Sequence, residues 1–197
     1  MPIARAEEVA LMFSEARTHA AWLDQAVDEA VLRRLYDLTR MGPTGANSQP
    51  LRVVFVSSAA GKEKLRPALA PMNVEKAMSA PVIAIIAYDT AYHLQMPKLF
   101  PARPETKDRL AALPEEERAR LGLLSSTLQA GYLILGARAL GLDCGPMGGF
   151  DAAKVDELFF PDGAWKATLL INLGYGDSSK LFPRLPRLEF EDACRVV

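Results

Sequence analysis

The chain has 197 residues, a length that suits one domain with a substantial hydrophobic core. Half of the residues are hydrophobic, and 23 basic side chains nearly cancel 24 acidic ones, which leaves a formal net charge of -1. A chain so balanced has no global field that would attract nucleic acid or an anionic membrane, so any anion site must be local.

Cysteine and histidine are scarce, and their spacing is not that of a zinc site. The two cysteines, Cys144 and Cys194, lie far apart with no CxxC motif, and the only histidines are His19 and His93. We therefore expect no bound metal, and two free thiols in a reducing cytoplasm.

Neither the N-terminus nor the most apolar stretch is typical of an export signal or a membrane span. The first residues include Arg5, Glu7 and Glu8, which interrupt the apolar core that a signal peptide needs. The uncharged stretch 121–137 contains serine, threonine and glutamine, and it falls short of the ~20 strongly apolar residues that a bilayer requires. The sequence predicts a cytoplasmic protein with a buried helix there.

The apolar pattern predicts helices alternating with strands. In chain order these are a helix over 6–17, a helix over 28–41, strands over 51–58 and 81–89, a helix over 114–140 and a strand over 168–177. The strands are apolar along their whole length, as expected of inner strands covered on both faces. Such layers make an α/β or α+β sandwich.

Two segments lie outside these layers. Residues 90–114 contain four prolines and many charges, which favours a mobile excursion over a linker between domains. Residues 178–197 start with too much proline and arginine for a core helix, and we expect an arm-like tail of the kind that packs on a neighbouring subunit. Residues 1–197 are predicted to form a single domain.

The usual nucleotide-binding motifs do not occur in the sequence. The stretch from Gly174 to Ser179 follows a strand and starts like a dinucleotide fingerprint, but Ser179 stands where the third glycine belongs and a proline-rich stretch follows. No GxxxxGK[ST] phosphate loop occurs either. We therefore expect neither NAD nor ATP to be held by its usual motif.

Four short segments carry polar or glycine-rich patterns that are weak when taken singly. Residues 143–151, DCGPMGGFD, include three glycines but no His, Ser, Lys or Glu, and residues 40–52 are typical of a turn. Asn73 and Lys76 lie on one face of a helix, and residues 17–19 follow the first helix. Each segment alone is explained as well by a turn, a solvated surface or a helix cap.

Taken in order, these segments resemble the FMN-dependent nitroreductase family over nearly the whole chain. The order is an arginine with a hydroxyl neighbour, GPTGANSQP, an Asn-x-x-Lys pair, GLDCGPMGGFD and a late arginine in PRLEFED. The wording of GKEKLRPAL and NLGYGDSSKLFPRLPRL is similar to the RutE/HadB branch, described as malonic semialdehyde reductases of pyrimidine utilisation. The resemblance implies an FMN-dependent NAD(P)H oxidoreductase that reduces malonic semialdehyde to 3-hydroxypropionate.

The resemblance also implies why residues 143–151 need no reactive side chain. In the family this loop lies against the flavin, where the N–H groups of Gly148 and Gly149 would donate to N5 and O4 while Pro146 and Met147 pack on the ring. NADH or NADPH would pass hydride to flavin N5. The reactive group then belongs to the cofactor, and no catalytic side chain is expected.

The other implied contacts surround a mononucleotide. By resemblance, Arg17 faces the FMN phosphate with Thr18 or His19 beside it, and Arg187 is the C-terminal candidate for the same phosphate. Asn73 and Lys76 match the pair at the pyrimidine edge, where a cation stabilises negative charge on the reduced ring. The loop that the partner subunit contributes corresponds to Thr44, Gly45, Ala46, Asn47 and Gln49.

The fold that the resemblance implies is an α+β, nitroreductase-like three-layer sandwich, with a central mixed sheet flanked by helices. The long helix 114–140 would form the main contact of a homodimer, with FMN at the interface. Small residues on this helix would allow close approach of a partner helix, although they suit a monomer's core equally. They are Ser125, Ser126, Ala130, Gly131, Gly136 and Ala137.

No single residue of the sequence fixes the substrate. Malonic semialdehyde needs a cation for its carboxylate and a proton donor for the developing alkoxide. Candidate cations in the excursion are Lys98, Arg103, Lys107 and Arg109. Candidate proton donors are Tyr88, Tyr92 and His93. A broad nitroreductase or quinone reductase, a flavin-binding protein without turnover and an enzyme that consumes its flavin remain as alternatives.

Overall fold

A computed structural model describes residues 3–197, and a four-stranded sheet lies at its centre. The strands, which pair in the order β1-β2-β4-β3, are β1 (Leu51–Val56), β2 (Val82–Asp89), β3 (Asp143–Met147) and β4 (Trp165–Gly174). β2 and β4 are the inner strands, and both carry long apolar runs. The strands predicted at 51–58, 81–89 and 168–177 are confirmed, with small shifts at their ends.

All pairings among these four strands are antiparallel. Leu51 of β1 faces Tyr88 of β2 while Val56 faces Ile83, and the other two strand pairs also run in opposite directions. The prediction of a mixed sheet is therefore wrong for residues 3–197, where the one parallel pairing is an isolated bridge at Thr18. An inner strand covered on both faces is apolar in either arrangement, so the apolar pattern could not distinguish the two.

Helices of very different length surround the sheet. They are α1 (Ala6–Val9), α2 (Glu29–Thr39), α3 (Ala59–Leu65), α4 (Pro71–Met78), α5 (Met96–Leu99), α6 (Thr106–Ala111), α7 (Glu115–Ala139), α8 (Ala152–Phe159) and α9 (Phe190–Ala193). A π-helical turn, Ala10–Ser14, continues α1, and single 3-10 turns lie at Gly45–Asn47, Arg66–Ala68, Tyr92–Gln95 and Ser178–Lys180. The helices predicted at 28–41 and 114–140 are confirmed. The first predicted helix ends three residues early, so Arg17 lies beyond it.

Alternate side chains of β2 enter two separate cores, one on each face of the sheet. Val82 and Ala84 pack with residues of α2 and α7. Ile83 and Ile85 pack with residues of α3, α4 and α8. The predicted three-layer α+β sandwich is confirmed, and burial of both faces explains why β2 carries no polar side chain before Tyr88.

The long helix α7 turns all but Gly131 of the six small residues singled out in the sequence inward. Ser126, Ala130 and Ala137 are buried, and a Cβ at Gly136 would lie 3.2 Å from the Leu35 side chain of α2. These residues therefore serve the chain's own core and not a partner helix. The exposed side of α7 carries Leu123, Leu124, Leu128, Gly131 and Tyr132. Within residues 3–197 no helix, α7 included, is long and apolar enough to cross a membrane.

The stretch predicted as a loop over 143–151 is a strand for its first five residues. β3 lies at the edge of the sheet, where the missing N–H of Pro146 is tolerated. Gly145 faces Asn172 of β4, and a Cβ on Gly145 would lie 2.5 Å from the carbonyl oxygen of His19. Glycine and proline concealed the strand in the sequence pattern, yet both suit an edge that another segment crosses closely.

The excursion at 90–114 is folded, whereas the tail has little regular structure. α5 and α6 belong to the excursion, and Tyr92, Met96 and Leu110 form its own small core. After β4 the chain contains only a 3-10 turn and the single turn α9. Large apolar side chains exposed along the tail are Phe182, Leu185, Leu188, Phe190, Val196 and Val197.

Burial of Cys144 in β3 should make its thiol unreactive. Burial raises the pKa of this thiol to about 12, so it stays protonated at pH 8, and the thiol is not the nucleophilic form. Cys194 is exposed, so a Cys194→Ser variant isolates Cys144. We expect native Cys194→Ser protein to show no fast reaction with an aromatic disulfide reagent, and one reactive thiol per chain in urea. A fast native thiol in this variant would show that β3 does not bury Cys144.

Candidate functional site

Most of the predicted cofactor residues lie together around β3. The stretch that begins at Arg17 crosses β3, where the N–H of His19 donates to the Cys144 carbonyl at 3.0 Å. The turn that follows β3 is hydrogen-bonded to α4. We call this group the β3 cluster, and it consists of residues 17–19, 73–76 and 146–149.

The main chain at Gly148 and Gly149 is held through its carbonyl groups. The Gly149 carbonyl accepts from Ala70 N at 3.2 Å and from Asn73 Nδ2 at 2.7 Å. The Gly148 carbonyl accepts from Phe150 N at 3.1 Å. Neither glycine N–H donates to another residue of the described chain, 3–197. Two adjacent free donors on a fixed backbone are suited to the acceptor atoms of a ligand.

The two glycines differ in the space around them. A Cβ on Gly149 would lie 2.6 Å from Asn73 Nδ2, whereas a Cβ on Gly148 would meet nothing within 4 Å. Asn73 is 5% exposed, and its amide nitrogen donates to the Gly149 carbonyl. Asn73 therefore holds the turn, whatever contact it makes with a ligand.

Pro146 and Met147, predicted to pack on a flavin ring, lie in β3 itself. Met147 is buried in the core on the α4 side of the sheet, with Sδ 3.6 Å from Asn172 Nδ2. Pro146 is half-buried. Strand alternation thus directs Met147 into the core and leaves Pro146 the more accessible of the two.

Lys76 lies in the last turn of α4 and is half-buried. Its carbonyl oxygen accepts hydrogen bonds from Trp22 Nε1 at 3.1 Å and from Asn172 Nδ2 at 3.0 Å. Its ammonium group forms no ion pair with any residue between 3 and 197. The charge of Lys76 is therefore available to an anionic group of a ligand.

The imidazole of His19 is buried against β3 and the segment after β4, with 5% of the residue exposed. Nε2 lies 3.4 Å from Asp143 Oδ1, and Nδ1 has no hydrogen-bond partner and packs against Gly176, where a Cβ would overlap the ring. This placement argues against the predicted contact of His19 with a phosphate. Because Thr18 bridges β3, neighbouring side chains point to opposite sides, and Thr18 is the exposed one.

The tail contacts the segment around Arg17 through the Phe182 carbonyl and through Arg184. Arg17 is half-buried and donates to the Phe182 carbonyl. Arg184 donates to the Ala16 carbonyl at 3.2 Å. Arg187 is exposed and donates to the carbonyls of its own two preceding residues. The predicted contact of Arg187 with a phosphate stays a prediction.

The second predicted group, residues 44–49, is tied to other elements of the chain. Gly45 N donates to Ser125 Oγ of α7 at 3.3 Å, and Asn47 Nδ2 donates to the Leu99 carbonyl of α5 at 2.8 Å. None of the hydrogen bonds of this loop within residues 3–197 reaches the β3 cluster. A single chain thus divides the predicted cofactor residues into two groups.

The backbone of the 44–49 loop is strained. Three non-glycine residues have positive φ, at Ala46 (52°), Asn47 (54°) and Gln49 (42°). Gln49 is held at both ends, because its N–H donates to Thr44 Oγ1 at 3.2 Å and its carbonyl accepts from Arg52 at 3.1 Å. Such conformations persist where the surroundings enforce them, and they are concentrated at functional sites.

Of the predicted proton donors, Tyr92 and His93 belong to the excursion's own structure, whereas Tyr88 lies in β2. Tyr92 is 2% exposed, and its hydroxyl donates to the Arg118 carbonyl at 3.2 Å. Burial lowers the pKa of His93 below its ordinary value, which favours the neutral imidazole, and burial raises the pKa of Tyr88. Among the candidate cations, Lys107 is half-buried, and the exposed ones are Lys98, Arg103 and Arg109.

An open groove of about 1490 Å³ lies along β1, at the edge of the sheet opposite to β3. Its walls come from β1, α2 and the start of the excursion. β1 pairs only with β2 in the described part of the chain, so its outer edge is free. Gln49 and Lys98 line the groove, but no residue of the β3 cluster does. The groove and the β3 cluster are separate features of the single chain.

Comparison with known proteins identifies the class to which this chain belongs. The sequence model of a protein family described as the nitroreductase family matches residues 14–175, a range that contains all four strands. The chain belongs to the nitroreductase family. It is also similar to a Ralstonia nicotianae protein, provisionally named NADH dehydrogenase/NAD(P)H nitroreductase, with 54% identity over 200 residues that cover 100% of both chains.

Solved structures agree with the fold. A Bacillus subtilis protein described as a nitroreductase superimposes with a TM-score of 0.87 at 19% identity, covering 98% of this chain and 100% of that one. A protein of Exiguobacterium sibiricum, described as a nitroreductase in complex with FMN, gives a TM-score of 0.84 at 20% identity, covering 100% and 99%. The expected nitroreductase-like fold is confirmed.

Alanine at position 149 should disturb the turn, whereas alanine at position 148 should not. A Cβ on Gly149 displaces the Asn73 amide, and leaving that buried group unsatisfied costs roughly 1–3 kcal/mol. Gly148→Ala adds a methyl group in open space and should change stability by about 1 kcal/mol or less. Urea unfolding of both variants at one protein concentration measures the difference. Equal stabilities would mean that Asn73 does not close the turn.

Proposed function

We propose that this chain is an FMN-dependent NAD(P)H oxidoreductase of the cytoplasm. The observation that carries the proposal is the pair of adjacent free N–H donors at Gly148 and Gly149, in one cluster with Lys76 and Arg17. FMN has the matching groups, because its ring offers acceptors for N–H groups and its phosphate suits an arginine. The name of the Ralstonia relative and the FMN in the Exiguobacterium structure support the same assignment.

The residues of the β3 cluster fit the two ends of a mononucleotide. Arg17 would bind the phosphate, with the exposed Thr18 hydroxyl as a second donor. Arg184 is the better-placed tail arginine, because it already reaches the Ala16 carbonyl. Lys76 and the amide of Asn73 would bind the pyrimidine edge.

When bound, the flavin would supply the redox chemistry, taking hydride from NADH or NADPH and giving it to the substrate. The chain's own contribution is positional and electrostatic. The N–H groups of Gly148 and Gly149 keep their direction because the carbonyls beside them are held by α4 and Phe150. The charge of Lys76 stabilises negative charge at the pyrimidine edge.

We propose a homodimer in which residues 44–49 of one chain complete the β3 cluster of the other. Support comes from the division of the cofactor residues and from the apolar exposed side of α7, which a partner can cover. The apolar tail would also pack on the partner. The groove along β1 of one chain has an unpaired strand edge, to which the extended tail of the partner can bind.

As substrate we propose malonic semialdehyde, reduced in pyrimidine degradation. Lys98 is the best-placed cation for its carboxylate, because the bond from Asn47 to the Leu99 carbonyl holds Lys98 beside the 44–49 loop. In the proposed dimer this loop adjoins the partner's flavin. The alternative is a broad nitroreductase or quinone reductase, which the name of the Ralstonia relative favours.

The rates of reduction of different electron acceptors test the proposed substrate. FMN-loaded protein is assayed with NADH or NADPH as the hydride donor and with malonic semialdehyde, propanal, a nitroaromatic compound or a quinone as the acceptor. A carboxylate contact should raise kcat/KM for malonic semialdehyde about tenfold over propanal, and Lys98→Ala should remove that preference. Faster turnover of the nitro compound or quinone would establish the alternative. Yellow protein without turnover would indicate a flavin-binding protein, and loss of flavin under oxygen a flavin-consuming enzyme.

Replacing Arg17 should weaken FMN far more than riboflavin. A charge-assisted phosphate contact contributes about 1.5–3 kcal/mol, which is roughly a ten- to hundredfold change in affinity. Riboflavin has no phosphate, so its affinity in Arg17→Ala should stay near that of the unmodified chain. Fluorescence titration with both flavins measures the two constants. Equal losses for both would mean that Arg17 supports the fold and does not bind phosphate.

The exposed side of α7 should control assembly. Leu128 is 48% exposed in the single chain, and Leu128→Arg would place a charge at the proposed apolar interface. We expect sedimentation at micromolar concentration to show monomers with weakened FMN binding. Leu94 of the excursion is 53% exposed, and Leu94→Arg is the matched control that should stay dimeric. A dimeric Leu128→Arg protein would place the interface elsewhere.

A further inference from the structure

The last turn of α4 is fixed by two side chains that have no part in the proposed chemistry. The Lys76 carbonyl is among the final carbonyls of α4, which lack an amide partner inside the helix. Trp22 Nε1 and Asn172 Nδ2 donate to it at 3.1 and 3.0 Å. Lys76 is therefore attached through its carbonyl to both the N-terminal segment and β4.

The indole of Trp22 is itself held in place. Its segment is hydrogen-bonded to the chain after β4, from Leu23 N to the Tyr175 carbonyl at 2.8 Å. The ring lies over two glycines of the sheet, since Cβ atoms on Gly145 and Gly174 would come within 3.3 and 3.1 Å of it. These contacts with the sheet fix the direction of the indole N–H, which points to the last turn of α4.

Asn172 is a costly residue at its position. It is fully buried in β4, and its Oδ1 has no hydrogen-bond partner. An unsatisfied buried amide oxygen destabilises a fold, so a well-packed apolar residue would serve the core better. Its amide nitrogen makes one strong hydrogen bond, to the Lys76 carbonyl, with Met147 sulfur as a weak second acceptor. The Asn172 side chain therefore holds the last turn of α4 and at the same time leaves an unsatisfied oxygen in the core.

We propose that Trp22 and Asn172 are positioning residues that direct the Lys76 ammonium at the flavin and so raise the reduction potential of the bound cofactor. The inference rests on the proposed function, because it requires FMN beside Lys76. The segment that contains Trp22 also begins with Arg17. One connected unit thus positions both the phosphate-binding side chain and the side chain that stabilises the reduced ring.

The midpoint potential of bound FMN tests the proposal. Trp22→Phe removes the indole N–H but keeps an aromatic ring over the two glycines. Losing one such hydrogen bond should weaken binding of reduced relative to oxidised FMN about two- to tenfold, and tenfold is about 30 mV for a two-electron couple. The affinity for sulfite, which forms an adduct stabilised by positive charge at this edge, should fall similarly. Trp165→Phe, at the opposite end of β4, should change neither quantity.

A double-mutant cycle distinguishes positioning from simple helix capping. If Trp22 acts through Lys76, Trp22→Phe should change the potential in the unmodified chain but not in Lys76→Met. Asn172→Ala is the second arm, and it decides the question if Trp22→Phe folds poorly. A helix cap alone would lower the melting temperature and leave the potential unchanged, which would overturn the inference. Protein that binds no FMN at all would overturn the proposed function instead.

Discussion

Burial of β2 on both faces is the constraint on which the rest of this structure depends. Its side chains from Val82 to Ala87 are apolar and buried, so the sheet needs helices on both sides. Each helical layer has its own core, and β1 and β3 are left as the sheet's edges. Main-chain groups become available to other molecules at such edges. One edge carries the β3 cluster and the other the open groove.

The β3 cluster is built largely from main-chain contacts, which explains why it contains so few reactive side chains. Gly145 lets residues 17–23 cross β3, Gly176 accommodates the ring of His19, and Gly149 accommodates the amide of Asn73. At each position a Cβ would collide with a neighbouring segment. The result is a rigid surface of backbone donors with two cations near it, suited to a cofactor that brings its own chemistry.

The predicted cofactor residues form two separate groups in one chain, and this separation gives a physical reason for the proposed dimer. Residues 44–49 are held in a strained conformation by Ser125, Leu99 and Arg52, away from the β3 cluster of their own chain. In the proposed dimer each flavin meets this loop from the partner. Cofactor binding and dimerisation would then stabilise each other, because a ligand shared by two chains binds the assembled state best.

The sequence by itself determined the layers and the order of the site segments. Continuous apolar runs such as 81–89 require covered strands, and the resemblance placed residues 17, 73–76 and 146–149 in one site. Only the tertiary structure decided strand direction, the burial of His19 and the inward face of α7. Local periodicity records whether a residue is buried. It does not record which distant segment buries it, because such contacts depend on how the whole chain packs.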